Sequence, residues 1–228
     1  MTTDLRIGVA HPAGLTERLD HAAKRAIDLV LASLALALLS PVMVAIAIGV
    51  RLTSPGPALF RQVRVGHLRK PFVMLKFRSM YEGCDDAVHR AYVTRMLAGD
   101  TAPADSARAI YKVTGIADPR MTPIGWFLRK ASLDELPQLI NVLRGEMSLV
   151  GPRPALPWEV ELFEPRHHLR FAVKPGITGL WQTSGRSMLT MPQALDLDVD
   201  YVQHRSILLD LMTLLRTVPV VLRARGAG

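Results

Sequence analysis

Residues 29 to 50 place 22 side chains in a row without a single charge. As straight helix the run covers about 33 Å, close to the roughly 30 Å hydrocarbon core of a bilayer. It begins late and no small-residue cleavage site follows it, so it does not read as a cleaved leader. Ser40-Pro41 falls near its middle. Proline removes a backbone donor and crowds the preceding turn, which predicts a kink. The neighbouring serine hydroxyl can bond a freed carbonyl, which makes such a kink tolerable in lipid. Both flanks are basic: Arg18, Lys24 and Arg25 precede the run, and Arg51, Arg61, Arg64, Arg69 and Lys70 follow it. Lys and Arg beside a membrane segment prefer the cytoplasmic side. A helix that enters, breaks at Ser40-Pro41 and returns on the same face satisfies both flanks, with about 16 Å per half. A proline-kinked helix crossing once fits the same composition, and the residues alone leave both open.

The remainder is basic. The chain has 228 residues, 28 Lys+Arg against 20 Asp+Glu, a net charge of +8 and a mean hydropathy of +0.20. Apolar and basic residues must therefore be segregated, and the expected partners are acidic: anionic lipid, nucleic acid or phosphorylated small molecules. Cys84 is the only cysteine, which excludes an intrachain disulfide. The seven histidines show no metal-ligand spacing, and the adjacent pair His167-His168 would diverge on a helix.

From Arg51 to Tyr81 there are seven Lys or Arg and no acid. Alternation predicts two strands, 59–65 and 72–77, joined by Gly66 to Pro71 as a hairpin. The charges suit an anionic-lipid contact, and Lys76 and Arg78 equally suit a phosphate site. Helices are expected over 84–98, 123–130, 136–143, 154–165 and 192–203, with a polar loop over 99–106. A last helix starts at Ser206, with an apolar face wide enough for a core or a membrane interface.

No Walker A, Gly-x-Gly-x-x-Gly or Gly-x-Ser-x-Gly pattern occurs. The chemistry gathers between Asp118 and Pro154, which hold Asp118, Arg120, Arg129, Lys130, Asp134, Glu135, Arg144, Glu146 and Arg153. Phosphoryl transfer uses such a set: guanidiniums on phosphate oxygens, a carboxylate for Mg²⁺, and a nucleophile or base. An aspartate can itself attack phosphorus. The plainer reading of Ser132-Leu-Asp-Glu135 is a capping box, with Asp134 in the first turn and its carboxyl lowered by the helix dipole. Gly176 to Arg186, with Trp181 and Gln182, reads either as a loop closing over a base or sugar or as a tight structural turn.

At these stretches the sequence strongly resembles the monotopic phosphoglycosyl transferases. The matching segments are Lys24-Arg25 through Ser40-Pro41, Lys76-Phe-Arg-Ser-Met80, Asp118-Pro-Arg120, Leu128-Arg-Lys-Ala-Ser-Leu-Asp-Glu-Leu-Pro-Gln138, Gly145-Glu-Met-Ser-Leu-Val-Gly-Pro-Arg-Pro154 and Lys174-Pro-Gly-Ile-Thr-Gly-Leu-Trp-Gln182. The resemblance covers residues 22 to 225. It implies transfer of a sugar-1-phosphate from a UDP-sugar to a polyprenyl (undecaprenyl) phosphate with release of UMP, in exopolysaccharide or glycoconjugate initiation. Asp134 aligns with the nucleophile and Mg²⁺ contact, and Glu135 with its dyad partner. Lys76, Arg78, Arg120, Arg129, Arg153, Gln182 and Arg186 are the expected phosphate and substrate contacts. Lys24, Arg25, Ser40 and Pro41 mark a re-entrant membrane hairpin. His204-Arg-Ser206 departs from the family's usual Asn-Trp-Ser before the final helix.

The fold expectation is α+β, mostly helical. Residues 1–21 form a flexible extension, 22–50 a re-entrant helix-break-helix, and 51–228 a catalytic domain with a small β-hairpin and amphipathic interfacial helices. The expected setting is the cytoplasmic face of the bacterial inner membrane. The expected partners are UDP-sugar, polyprenyl phosphate and membrane lipid, without nucleic acid, and a homodimer is one arrangement this permits. The reading from a different class is a non-catalytic membrane-anchored adaptor for anionic lipid or nucleic acid, with a steep salt dependence.

Overall fold

A computed structural model of the chain describes residues 15–84, 87–97, 120–184 and 189–222. The first element is a 39-residue helix, α1 (Leu15–Thr53). A hairpin follows, β1 (Leu59–Val65) and β2 (Pro71–Phe77), and then the helices α2 (Ala87–Leu97) and α3 (Gly125–Lys130). A one-turn 3₁₀ segment (Leu133–Glu135) leads into α4 (Gln138–Arg144). Next come β3 (Ser148–Val150), α5 (Pro157–Val160), a 3₁₀ stretch (Pro165–Ala172), β4 (Gly176–Thr178) and α6 (Leu180–Thr183). The chain closes with α7 (Met191–His204) and α8 (Ile207–Leu222). The fold is mostly helical, as expected.

Helix α1 is the one described helix long and apolar enough to cross a membrane, and its apolar window is largely unburied. The expected break at Ser40-Pro41 does not divide it. Helical backbone runs through Pro41, and Ser40 Oγ donates to Ala37 O at 2.9 Å. That local bond compensates for the donor that proline lacks. Seven positions at helical spacing form one inward stripe: Asp28, Ala32, Ala35, Leu39, Met43, Ile46 and Val50. Both halves of that stripe pack on the domain. Ala32 joins a core with Met74, Val142, Met147, Val150 and Tyr201, and Ile46 and Val50 join a second core with Phe77 and Leu128. The outer face carries Val30, Leu34, Leu38, Val44, Ile48 and Leu52, all exposed. Residues 15–21 continue α1 rather than forming a loose extension, and residues 1–14 lie outside the described set.

Basic and acidic side chains fasten the start of α1. Arg25 donates to Val142 O (2.7 Å) and Leu143 O (3.0 Å), two carbonyls in the last turn of α4. A cation there satisfies groups the helix leaves open and meets the negative end of its dipole. The Asp28 carboxylate accepts from Leu149 N in β3 at 3.1 Å. Lys24 Nζ lies 2.5 Å from Asp210 Oδ2 on α8, and the Tyr201 hydroxyl of α7 donates to Asp210 Oδ1 at 2.7 Å. Burial, reinforced by Asp210, pushes the Tyr201 hydroxyl upward, so it remains a donor.

The hairpin forms as the alternation predicts, in antiparallel register with Phe60 opposite Lys76 and Arg64 opposite Phe72. One of its faces therefore carries Phe60, Gln62, Arg64, Phe72, Met74 and Lys76. Asn141 of α4, fully buried, ties this sheet down by accepting from Leu75 N and donating to Val73 O. The sequence gives no warning of the second sheet, the short parallel pair of β3 and β4, with Ser148 opposite Gly176 and Val150 opposite Thr178. Here the backbones of the Gly151 and Gly176 loops meet. A Cβ on Gly176 would stand 2.1 Å from Gly151 N, and one on Gly151 2.5 Å from Lys174 O. Only glycine permits that approach.

The single helix expected over 154–165 is corrected to a four-residue α5 followed by 3₁₀ turns. Pro157 starts α5, and Pro165 starts the next segment in a chain already extended at Glu164. The polar loop at 99–106 falls outside the described residues.

Candidate active site

The carboxylates Asp134 and Glu135 sit on the 3₁₀ turn between α3 and α4. The expected capping box is not made. Ser132 adopts a left-handed conformation (φ 56°) and its side chain forms no cap, while Glu135 N bonds back to Ser132 O at 3.3 Å. A non-glycine residue at positive φ is costly, of order 1–3 kcal/mol, and persists where the surroundings enforce it. Here it turns the chain so that Asp134 points inward, 8% exposed.

The two carboxylates have different surroundings. Glu135 Oε1 receives Lys76 Nζ from β2 at 3.2 Å and lies 3.7 Å from Arg153 Nη1 of the loop after β3. Among the described residues, no hydrogen bond or salt bridge reaches the Asp134 carboxylate. Burial raises the Asp134 carboxyl above the ordinary carboxylate range, against the pull of Lys76 and with a push from Glu135. This reverses the expectation of a lowered carboxyl. A three-residue turn has little dipole to offer, and desolvation of a nearly enclosed acid outweighs it. Burial likewise lowers Lys76, countered by Glu135.

A shallow cleft opens beside Glu135. Its walls include Arg64, Lys76 and Met74 from the hairpin face, Gln138 from α4, Arg153-Pro154, Gly176-Ile177 and Gln182. Three cations face one carboxylate there. Arg129, on the last turn of α3, acts on Asp134 electrostatically, and its closest polar contacts are Met80 Sδ (3.9 Å) and Met121 Sδ (3.8 Å). No anion within salt-bridge distance occupies it among the described residues. Arg129, Lys76 and Arg153 are thus brought together around the dyad.

Other expected contacts are placed differently. Arg78 is buried, but its guanidinium holds the turn after α1, donating to Ser54 O and Ser54 Oγ at 2.8 Å and to Pro55 O. It is a brace for the loop and not a wall of the cleft. Arg120 stands at the edge of the described residues, its carbonyl accepting from Tyr81 N, and also does not line the cleft. Arg186 lies outside the described residues. Gln182 does line the cleft. Its Nε2 donates to Ile177 O at 3.2 Å, which leaves the buried Oε1 without a partner. That oxygen suits a donor such as a hydroxyl or N–H, while the second Nε2 proton remains able to meet an acceptor.

Arg64 and Gln138 are cleft residues that the motif reading missed. Arg64 was detectable: two-residue alternation through the hairpin register puts it on the same face as Lys76. Gln138 had only its position three residues after Glu135 to betray it.

Metal binding was expected through Asp134. Among the described residues no group of three or more His, Cys, Asp or Glu side chains could hold an ion. Mg²⁺ typically takes one or two protein carboxylates and completes its shell with phosphate oxygens and water. The unpartnered Asp134 carboxylate fits that requirement.

A family model described as "Bacterial sugar transferase" matches residues 19–224. Exopolysaccharide production protein ExoY of Rhizobium meliloti is 40% identical over 205 residues, covering 90% of this chain and 88% of that protein. The UDP-glucose:undecaprenyl-phosphate glucose-1-phosphate transferase of Caulobacter vibrioides is 40% identical over 212 residues, 90% of this chain and 71% of its own length. The undecaprenyl-phosphate galactose phosphotransferase of Salmonella typhimurium is 38% identical over 213 residues, 93% of this chain and 43% of its own.

Proposed function

The chain belongs to the bacterial sugar transferase family, and from that premise we propose that it moves a sugar-1-phosphate from a UDP-sugar to undecaprenyl phosphate, releasing UMP, as the first step of an exopolysaccharide. Two relatives are named for sugar-phosphate transfer involving undecaprenyl phosphate, one of them with UDP-glucose as the donor. The observation that carries the mechanism is the asymmetry of the dyad: Asp134 buried and, among the described residues, without a hydrogen bond or salt bridge, Glu135 tethered to Lys76 and Arg153.

An Asp134 carboxylate oxygen attacks the β-phosphorus of the UDP-sugar. The bond from that phosphorus to the bridging oxygen breaks, and UMP leaves with the electron pair. The product is a phosphosugar on Asp134. An oxygen of the lipid phosphate then attacks the same phosphorus, breaks its bond to the carboxylate, and restores Asp134. Arg129, Lys76 and Arg153 offset the charge that develops on phosphate oxygens. Glu135 keeps Lys76 and Arg153 aimed into the cleft. Mg²⁺ held by Asp134 and the diphosphate would supply further neutralisation when bound. A buried nucleophile with little solvation has less water to shed on attack.

The lipid acceptor requires a membrane setting. We place the outer face of α1, with Leu34, Leu38, Val44 and Ile48, in lipid. Arg25 contacts α4 at one end of the apolar run, and Ser54 bonds Arg78 at the other. With both ends on one domain, a re-entrant course in which α1 bends at Pro41 while keeping its helical backbone, and so returns to the cytoplasmic face of the inner membrane, accommodates the run better than a single crossing. The exposed Leu208, Leu211 and Leu215 of α8 extend the apolar surface.

The test is UMP release over a panel of UDP-sugars with undecaprenyl phosphate, for wild type and Asp134→Asn. One UDP-sugar should support turnover that the variant lacks. Equal release by both proteins would refute the assignment.

A further inference from the structure

Arg64 is 9% exposed and lines the cleft with Lys76, Glu135 and Arg153. Its Nε and Nη2 donate to Gln62 Oε1 at 3.0 and 2.6 Å, and its Nη1 to Pro154 O at 3.0 Å. All these partners are neutral. Among the described residues no carboxylate lies within salt-bridge distance of it. The neighbouring Arg153 repels it, and Glu159 and Glu135 attract it more weakly. Burying a cation without a paired anion is costly, and such a charge is retained where something compensates it. Burial pushes the guanidinium down to about 10, so it still carries its charge at neutral pH.

The walls thus hold Arg64, Lys76 and Arg153 against Glu135, a net charge of +2. That excess matches a dianionic ligand. Arginine has five N–H donors, and three are committed, so one on each Nη is left over. Two N–H groups on one planar head suit a phosphate oxygen pair. The link to Pro154 O adds a second consequence. Pro154 follows Arg153 directly, so the same guanidinium fixes the backbone from which Arg153 reaches Glu135.

Resting on the transferase reading above, we propose that Arg64 is a further phosphate-binding residue of the cleft. It donates its two uncommitted N–H groups to the diphosphate of the nucleotide sugar and sets the position of Arg153 through Pro154.

The experiment measures UDP binding to the full-length protein in detergent, as affinity and as the ligand-induced rise in melting temperature. Wild type is compared with Arg64→Gln and Arg64→Lys. Arg64→Gln should weaken UDP by about tenfold or more, the range for a lost hydrogen bond to a charged group. Arg64→Lys, which restores a point charge without the planar fork, should fall between wild type and Arg64→Gln. UDP affinity in Arg64→Gln equal to wild type overturns the proposal and leaves the transferase reading standing. Equal losses in Gln and Lys, with equally lowered melting temperatures, overturn it in favour of a packing role. If Arg64→Gln does not fold, Arg64→Lys decides: weaker UDP binding at unchanged melting temperature supports the contact, and wild-type affinity refutes it. A wild type that ignores UDP overturns the transferase reading and this proposal together.

Discussion

Two clusters of buried charge sit in this protein and are built on opposite principles. Where α1 docks, its own three charges are answered: Lys24 by Asp210, Asp28 by Leu149 N, Arg25 by two α4 carbonyls. In the cleft, charges are left over: among the described residues, no hydrogen bond or salt bridge reaches the Asp134 carboxylate, Arg129 has only sulfur contacts, and Arg64 has only neutral ones. A satisfied network fixes structure, while an unsatisfied one stores binding capacity for a ligand. The same residue types therefore serve as fasteners in one place and as ligand contacts in the other.

Substitution should separate the two. The largest contrast is expected at Asp134. Replacement by Asn should cut turnover by on the order of a thousandfold or more, as removal of a nucleophile does. The same change should stabilise the protein at neutral pH. The folded carboxyl sits above its unfolded value of about 3.9, so its contribution to stability is full below that value and lost as pH rises through the folded one. The melting temperature of Asp134→Asn should exceed that of wild type at pH 7 to 8, and the gap should close near pH 4. For the same reason, the first-step rate of the wild type should fall on acidification earlier than an ordinary carboxylate would dictate. A variant less stable at pH 7 and equally active would erase the contrast.

At the fastened cluster the signs reverse. Lys24→Met should lower stability by about 1–3 kcal/mol, because Asp210 loses its cation while remaining largely buried. The double change Lys24→Met with Asp210→Leu should cost less than the two single changes summed. Additive losses in thermal melts would show that the pair is not coupled.

The smallest effect on the comparison comes from the scaffold between them. Gly151→Ala places a methyl 2.5 Å from Lys174 O and should cost about 1–3 kcal/mol. It should also reduce turnover, since Arg153 rides on the displaced loop. Unchanged kinetics in a destabilised Gly151→Ala protein would detach that loop from catalysis.

The sequence carried the hairpin and the terminal helices because each depends on local pattern. Alternation in 59–65 and 71–77 sets a register, and Thr190 with Gln193 caps α7 through a reciprocal pair of bonds. What it concealed depends on distance. The β3–β4 pair joins residues 28 positions apart through three-residue strands, too short for any periodicity. Ser132-Leu-Asp-Glu135 obeyed the capping rule locally, and tertiary packing set Ser132 in a left-handed turn instead. Arg78 and Arg64 look alike in the basic run, but one braces Ser54 and the other lines the cleft. Pro41 signalled a break, and a serine bond together with a continuous inward stripe carried the helix through it.

The central claim is that Asp134 holds the sugar phosphate between two half-reactions. Wild-type protein should be mixed with its UDP-sugar and Mg²⁺ in the absence of any lipid acceptor, then examined for released UMP and for intact mass. One equivalent of UMP should form, together with a mass increase of one phosphosugar located on Asp134. Release of UMP only after polyprenyl phosphate is added, with no adduct at any time, would contradict the account.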